Sequence, residues 1–160
     1  METDVLERAR AKLKDVGARV TLARVQVLAS LLDAGRALTH HEVQQRLEAA
    51  AGVEPFDRVT LYRVLDWLVE QQLAHRVSAD DRVFRFSAQP ARGPDPHDGT
   101  HGHFRCLQCG RIVCLPDSPG LDDALRELLP TGYAGARVDL TVHGRCDRCA
   151  DPHGQQERQQ

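Results

Sequence analysis

The sequence predicts an α+β chain in two parts, an N-terminal winged helix-turn-helix domain and a small C-terminal α/β unit. Three observations carry this. Residues 1–86 hold helix-period segments with capping signals, followed by two short alternating stretches. Residues 87–100, "SAQPARGPDPHDGT", carry three prolines and two glycines and almost no apolar side chains, the composition of a hinge. Residues 101–150 then bring two CxxC pairs to the ends of a short strand-rich stretch, and 151–160 reads as a disordered tail.

Taken in order, residues 3–15 fit an amphipathic helix ended by Gly17. A second helix starts at Thr21 as N-cap, repeats Leu22, Val25, Leu28, Leu31 and Leu32, and stops at Gly35. Thr39 with Glu42 three residues later is a capping box for a third, ending by Gly52. A fourth starts at Asp57 and turns Leu61, Val64, Leu65 and Leu68 inward. "LAHRV" and "RVFRF" around "SADD" read as a hairpin. Helices followed by such a hairpin make a winged helix. Past the hinge, strands are expected near 103–105, 111–115 and 136–143, with a helix near 120–129. That unit has a thin core for its length, so it needs a metal or a partner subunit.

Composition narrows the function. The 160 residues are 41% hydrophobic and 28% charged, as in a soluble globular chain, and no apolar run approaches a membrane span. The charged, helix-patterned N-terminus argues against a secretory signal, and five cysteines then point to a reducing cytoplasm. Net charge is −2; residues 1–86 hold 13 basic and 13 acidic side chains, and residues 87–160 hold 8 and 10. Nucleic-acid contact would therefore need a local arrangement of basic groups.

"CLQC" (106–109) and "CDRC" (146–149) are separated by 36 residues. Two such knuckles clamp one tetrahedral zinc through Cys106, Cys109, Cys146 and Cys149, and four thiolates leave no open coordination position. One structural zinc per chain follows. His101 and His103 are two apart and share a face if extended, which makes half a second metal site; solvated hinge histidines are the bland alternative. Cys114, outside both knuckles, is either a small buried hydrophobe or a further ligand. On the fourth helix, the face opposite the leucines presents Arg58, Thr60, Tyr62 and Arg63. These residues suit base edges and phosphates, or simply a solvated face. His40 and His41, in the first turn of the third helix, read as solvated; His143 reads as structural or as support for the second knuckle.

Four stretches resemble the ferric uptake regulator family of metal-dependent repressors. They are "GARVTLARVQVL" (17–28), "VTLYRVLDWLVEQQLAHRV" (59–77, with Gln72 where the family usually has Gly), "HGHFRCLQCGRI" and "GRCDRC". The resemblance implies a winged-helix DNA-binding domain over 1–86, a hinge over 87–100 and a dimerisation domain over 101–150. It implies a homodimer on palindromic double-stranded DNA, with half-sites about one turn apart. Arg58, Thr60, Tyr62 and Arg63 would then read DNA, and Arg19 and Arg24 would meet phosphate. It also implies a regulatory divalent metal at the hinge.

Departures from the family pattern bear on that metal. Ala37 stands where iron and peroxide sensors carry a histidine, and Arg85 where they carry an acid. Cys114 replaces a carboxylate, and Val138 a histidine. His75 matches a ligand of some zinc-sensing members. His75, His101, His103 and Cys114 would then form a set of three imidazole nitrogens and one sulfur, with His97 as a substitute. Such a set suits zinc over iron or manganese and makes the zinc uptake regulator branch the expectation. An iron- or peroxide-responsive regulator is the alternative within the family. From other classes, a zinc enzyme using His101, His103 and Cys114 lacks HExxH, HxE with PCxxC, and a fixed Glu beside these ligands. A redox switch at Cys114 is a third reading. The chain is thus expected not to be an enzyme.

Overall fold

The structure, a computed structural model, describes residues 3–50, 57–77, 83–89, 102–116, 120–121, 124, 127–133 and 140–150. It divides into two compact units, Met1–Ala91 and Arg92–Gln160. Gly52, the tail 151–160, His97, His101 and Val138 lie outside the described residues, and the third helix ends before Gly52, at Ala49.

The first unit is a winged helix. Helix α1 (Thr3–Asp15) ends in a Schellman turn, with the Ala18 N–H donating to Leu13 O and the Gly17 N–H to Lys14 O. Gly17 supplies the positive φ that this turn requires. Helix α2 (Leu22–Ala34) starts where Thr21 accepts the Arg24 N–H and ends at left-handed Gly35. Its seven successive residues Val25–Leu31 are all buried. The apolar stripe expected from Leu22, Val25, Leu28, Leu31 and Leu32 is thus replaced by a helix enclosed nearly all round. Leu22, in its first turn, is 59% exposed.

Strand β1 (Leu38–Thr39), absent from the sequence reading, leads into helix α3 (His40–Ala49). Both halves of the Thr39–Glu42 capping box are present, and Arg36 pairs with Glu42 at 2.7 Å. Helix α4 (Arg58–Glu70) is capped by Asp57 and buries Leu61, Val64, Leu65 and Leu68. The hairpin follows as β2 (Ala74–Val77) and β3 (Arg85–Ala88), in a sheet ordered β1-β3-β2. Its second strand starts three residues later than "RVFRF" suggests. Phe86 points into the core opposite Leu38, whereas Val83 and Phe84 are exposed. Strand β3 therefore includes Ser87 and Ala88, the first residues of the stretch read as hinge.

The second unit has a sheet ordered β5-β4-β6, made of β4 (His103–Cys106), β5 (Ile112–Cys114) and β6 (Thr141–Gly144). Helix α5 (Asp147–Ala150) follows, and Leu121, Ala124 and Glu127 are helical within the expected 120–129 segment. Among the described residues, the buried hydrophobic side chains of this unit are Cys106 and Ile112 alone. No helix among the described residues is long and apolar enough to cross a membrane.

Helix α4 ends in a second Schellman turn, in which the Leu73 N–H donates to Leu68 O and the Gln72 N–H to Val69 O. Gln72 takes φ +56 there, the sole non-glycine residue with positive φ among those described. A side chain in this conformation costs about 1–2 kcal/mol. Gln72→Gly is expected to raise stability by about 1 kcal/mol, seen as a higher urea midpoint at constant slope. A lower midpoint would mean that the Gln72 side chain itself holds the corner.

Candidate metal centre and DNA-contact face

The second unit brings the two knuckles together by strand pairing. β4 and β6 run parallel with Cys106 opposite Gly144, two residues before Cys146. A parallel pair needs a long crossover, which is why the knuckles lie 36 residues apart in sequence. Gly144 suits that point, since a Cβ there would sit 3.1 Å from the Phe104 ring, which would have to give by a few tenths of an ångström. The first knuckle turns through Leu107–Cys109 and closes with the Gly110 N–H on Cys106 O at 2.9 Å, Gly110 taking φ +70. The second opens α5, whose Cys149 and Ala150 N–H groups donate to Cys146 O.

The sulfurs of Cys106, Cys109, Cys146 and Cys149 all lie within 4.8 Å of one another. Cys109 Sγ and Cys146 Sγ are 3.7 Å apart, far beyond a disulfide bond. A tetrahedron with zinc–sulfur bonds of about 2.3 Å has edges of about 3.8 Å, so the donor set and its spacing fit zinc. Backbone N–H groups of Cys109 and Cys146 pull the Cys106 thiol down to about 6, and the Cys146 N–H reaches its sulfur at 3.4 Å. Burial, together with hydrogen bonds to the other sulfurs, pushes the Cys149 thiol up to about 12. The surroundings thus favour a first thiolate and resist the last, and a bound cation would offset that resistance.

On the other edge of β4, His103 is paired with Cys114 of β5. Gly102 O accepts the Leu115 N–H and Arg111 O accepts the Cys106 N–H, so those flanking pairs are hydrogen-bonded. Antiparallel alternation makes His103–Cys114 a non-bonded pair, the kind whose side chains approach most closely. A ring nitrogen of His103 and Cys114 Sγ lie within 4.8 Å. This nitrogen–sulfur pair is separate from the four-cysteine cluster, and both of its members are half-buried. His101, its expected companion, lies outside the described residues. His143 is exposed in β6, opposite Arg105.

In the first unit, His75 is half-buried on β2, and its Nδ1 lies 3.0 Å from Gln89 Oε1. Ala37 is buried, and Arg85 lies in β3 opposite Val77, its Nη1 donating to Val83 O at 3.1 Å. On α4, Arg58, Tyr62 and Arg63 are exposed together on the face away from the core. Thr60 is already engaged, its N–H and hydroxyl both donating to the Asp57 carboxylate at 3.0 and 2.7 Å. Those bonds hold the Asp57 carboxyl below its ordinary range and fix the start of the helix. Arg19 is exposed. Arg24 is instead stacked on Trp67, 3.5 Å from the ring centroid, and donates to Arg19 O at 2.9 Å. It ties α2 to α4 and steadies the loop that carries Arg19.

His40 departs from the solvated position read for it. Its ring lies 3.8 Å from that of Tyr62 and 4.7 Å from that of Phe86, whereas neighbouring His41 is exposed. Helix period alone could not find this, because the contact depends on β1 pairing with β3.

Comparison with known proteins agrees with this architecture. The model of the Ferric uptake regulator family matches residues 15–143. The peroxide operon regulator of Bacillus subtilis (strain 168) is 29% identical over 154 residues, covering 94% of this chain and 97% of that protein. A solved zinc uptake regulator, complexed with zinc and DNA, aligns with TM-score 0.68 and 23% identity over 96% of this chain and 99% of that one. The Helicobacter pylori ferric uptake regulator, described as having three functional metal binding sites, aligns with TM-score 0.63 and 20% identity over 92% of each chain. The two structural likenesses establish the fold.

If the four-cysteine cluster holds the second unit together, Cys109→Ser lowers structural metal from about one ion per chain towards none. It should also abolish the melting transition of the second unit while the first still melts cooperatively. Elemental analysis with calorimetry checks this, and a fully metallated variant would overturn it.

Proposed function

Since the chain belongs to the ferric uptake regulator family, whose members are metal-responsive, DNA-binding transcription regulators and not enzymes, we propose that this one senses zinc. The observation that carries the proposal is the cross-strand pair of His103 and Cys114. An imidazole and a thiolate form a softer donor pair than an imidazole and a carboxylate, and softer donors favour zinc over manganese or ferrous iron. Ala37 and Arg85 support the same reading, because neither can ligate a cation where the iron and peroxide sensors carry a histidine and an acid.

In this proposal the regulatory zinc is held by His103 and Cys114 with His75 and His101. A structural zinc occupies Cys106, Cys109, Cys146 and Cys149. The metal supplies a link that only the DNA-binding conformation completes, and it favours that conformation by as much as it binds it more tightly. The protein acts in the cytoplasm as a homodimer on a palindromic operator, with half-sites about one DNA turn apart. Arg58, Tyr62 and Arg63 read bases and phosphates from α4, and Arg19 meets the backbone. Thr60 and Arg24 serve the same interface from behind, through the helix cap and the Trp67 stack.

Cys114→Ser tests the sensing role. The variant is expected to keep the structural zinc but to lose zinc-dependent binding to duplexes that the zinc-loaded wild type selects from a random-sequence library. Elemental analysis and gel shift are the measurements. Loss of the structural zinc as well would place Cys114 in the four-cysteine cluster. Full response of the variant to ferrous iron or manganese, with none to zinc in the wild type, would return the protein to the iron or manganese sensors.

A further inference from the structure

His40 is the first residue of α3, and nothing in the proposed function uses it. Its ring fills the space between two aromatics of opposite character. Phe86, on the central strand of the wing sheet, is 1% exposed, and its ring meets His40 edge-on, at 73°. Tyr62, on α4, is 46% exposed, and its ring lies over His40 at 3.8 Å with a 38° tilt. The Nε2 atom of His40 is fully shielded and has no hydrogen-bond partner. A buried polar atom without a partner is costly, so a hydrophobic residue would be the more stable filler at this place if packing were the only demand.

We propose that His40 is a positioning residue for DNA reading, fixing the Tyr62 ring against the wing strand so that α4 presents the phenol in one orientation. The inference rests on the reading of Tyr62 as a DNA contact. A tyrosine on an exposed helix face otherwise samples several rotamers, and ordering it on DNA would cost affinity. With the ring already stacked on His40, part of that cost is met in the free protein. Because Phe86 lies opposite Leu38 of β1 and Arg76 of β2, the support reaches Tyr62 from the whole wing sheet.

The charged groups around His40 make the support sensitive to acid. Asp66, one turn beyond Tyr62 on α4, attracts a proton to the imidazole, whereas Arg76 of β2 repels it. Arg76 and Asp66 pair with each other at 2.6 Å. On its own helix His40 is followed by exposed His41 and by Glu42, which is paired with Arg36. Burial is the largest influence and holds the imidazole below its ordinary range, so it is neutral at neutral pH. A group depressed in this way keeps its neutral packing above the folded value. It loses that packing as pH falls through the folded value, below about 6.5.

The test is a double-mutant cycle on the full-length protein with saturating zinc, bound metal being measured in every sample. The probes are a duplex selected by the zinc-loaded wild type and a scrambled duplex of the same composition. His40→Ala is expected to weaken the selected duplex roughly tenfold and the scrambled one by less than about twofold. In a Tyr62→Ala background the same change should add nothing. His40→Phe, which keeps a ring that cannot titrate, is expected to restore affinity near neutrality and to remove the part of the acid-side loss that wild type shows. Wild-type affinity in His40→Ala, equal losses on both duplexes, or an undiminished loss in the Tyr62→Ala background would overturn the inference. Full binding by Tyr62→Ala alone would instead overturn the reading of Tyr62 as a DNA contact.

Discussion

The second unit depends on one strand pairing. Setting β4 parallel to β6 with Cys106 opposite Gly144 brings four sulfurs from distant parts of the chain within 4.8 Å. Among the described residues, the unit buries two hydrophobic side chains, Cys106 and Ile112, and both belong to this sheet. A small fold without an adequate core needs a covalent or coordinate staple. The four-cysteine cluster lies at the end of this sheet, where a bound metal would act as such a staple. A metal there would hold β4 at Cys106, three residues from His103 of the His103–Cys114 pair. The four-cysteine cluster and the mixed nitrogen–sulfur pair thus share one strand, with the all-sulfur set at its end and the harder imidazole-containing pair at its start.

The first unit solves its folding problem by other means. Helix α2 is enclosed by its neighbours, and α1, α3, α4 and β3 pack around it. Its burial fixes where α4 lies, and the caps at Thr39 and Asp57 fix where α3 and α4 begin. The outward face of α4 is then set by elimination, because the four buried residues leave Arg58, Tyr62 and Arg63 on the opposite side. Arg24 and His40 brace that face at its two flanks, one through Trp67 and the other through Tyr62.

Much of this was legible in the sequence because it is local. Caps, helix period and knuckle spacing act over a few residues, so Thr21, Thr39, Asp57 and the inward leucines of α4 could be read directly. The cysteine cluster was legible for another reason: its chemistry is so specific that spacing stands in for geometry. Contacts fixed by tertiary pairing were not legible. β1 is two residues long and exists only because β3 lies beside it, so neither it nor the stack of His40 could be inferred from periodicity. The enclosure of α2 was hidden for a similar reason, since Gln26 and Ser30 break its apolar pattern and are buried nonetheless. The start of β3 slipped because Val83 and Phe84 look like strand residues, yet the ladder begins at Arg85.

The stack of Arg24 on Trp67 has a further consequence. Trp67 is the only tryptophan in the chain, and it lies in the first unit, with a guanidinium 3.5 Å from its ring. Indole emission responds strongly to a nearby cation and to loss of its enclosure. The chain therefore carries a built-in optical reporter on the winged helix alone, while ultraviolet absorption by metal-bound sulfur would report on the other unit. The two halves can be watched separately in one cuvette, with no label attached.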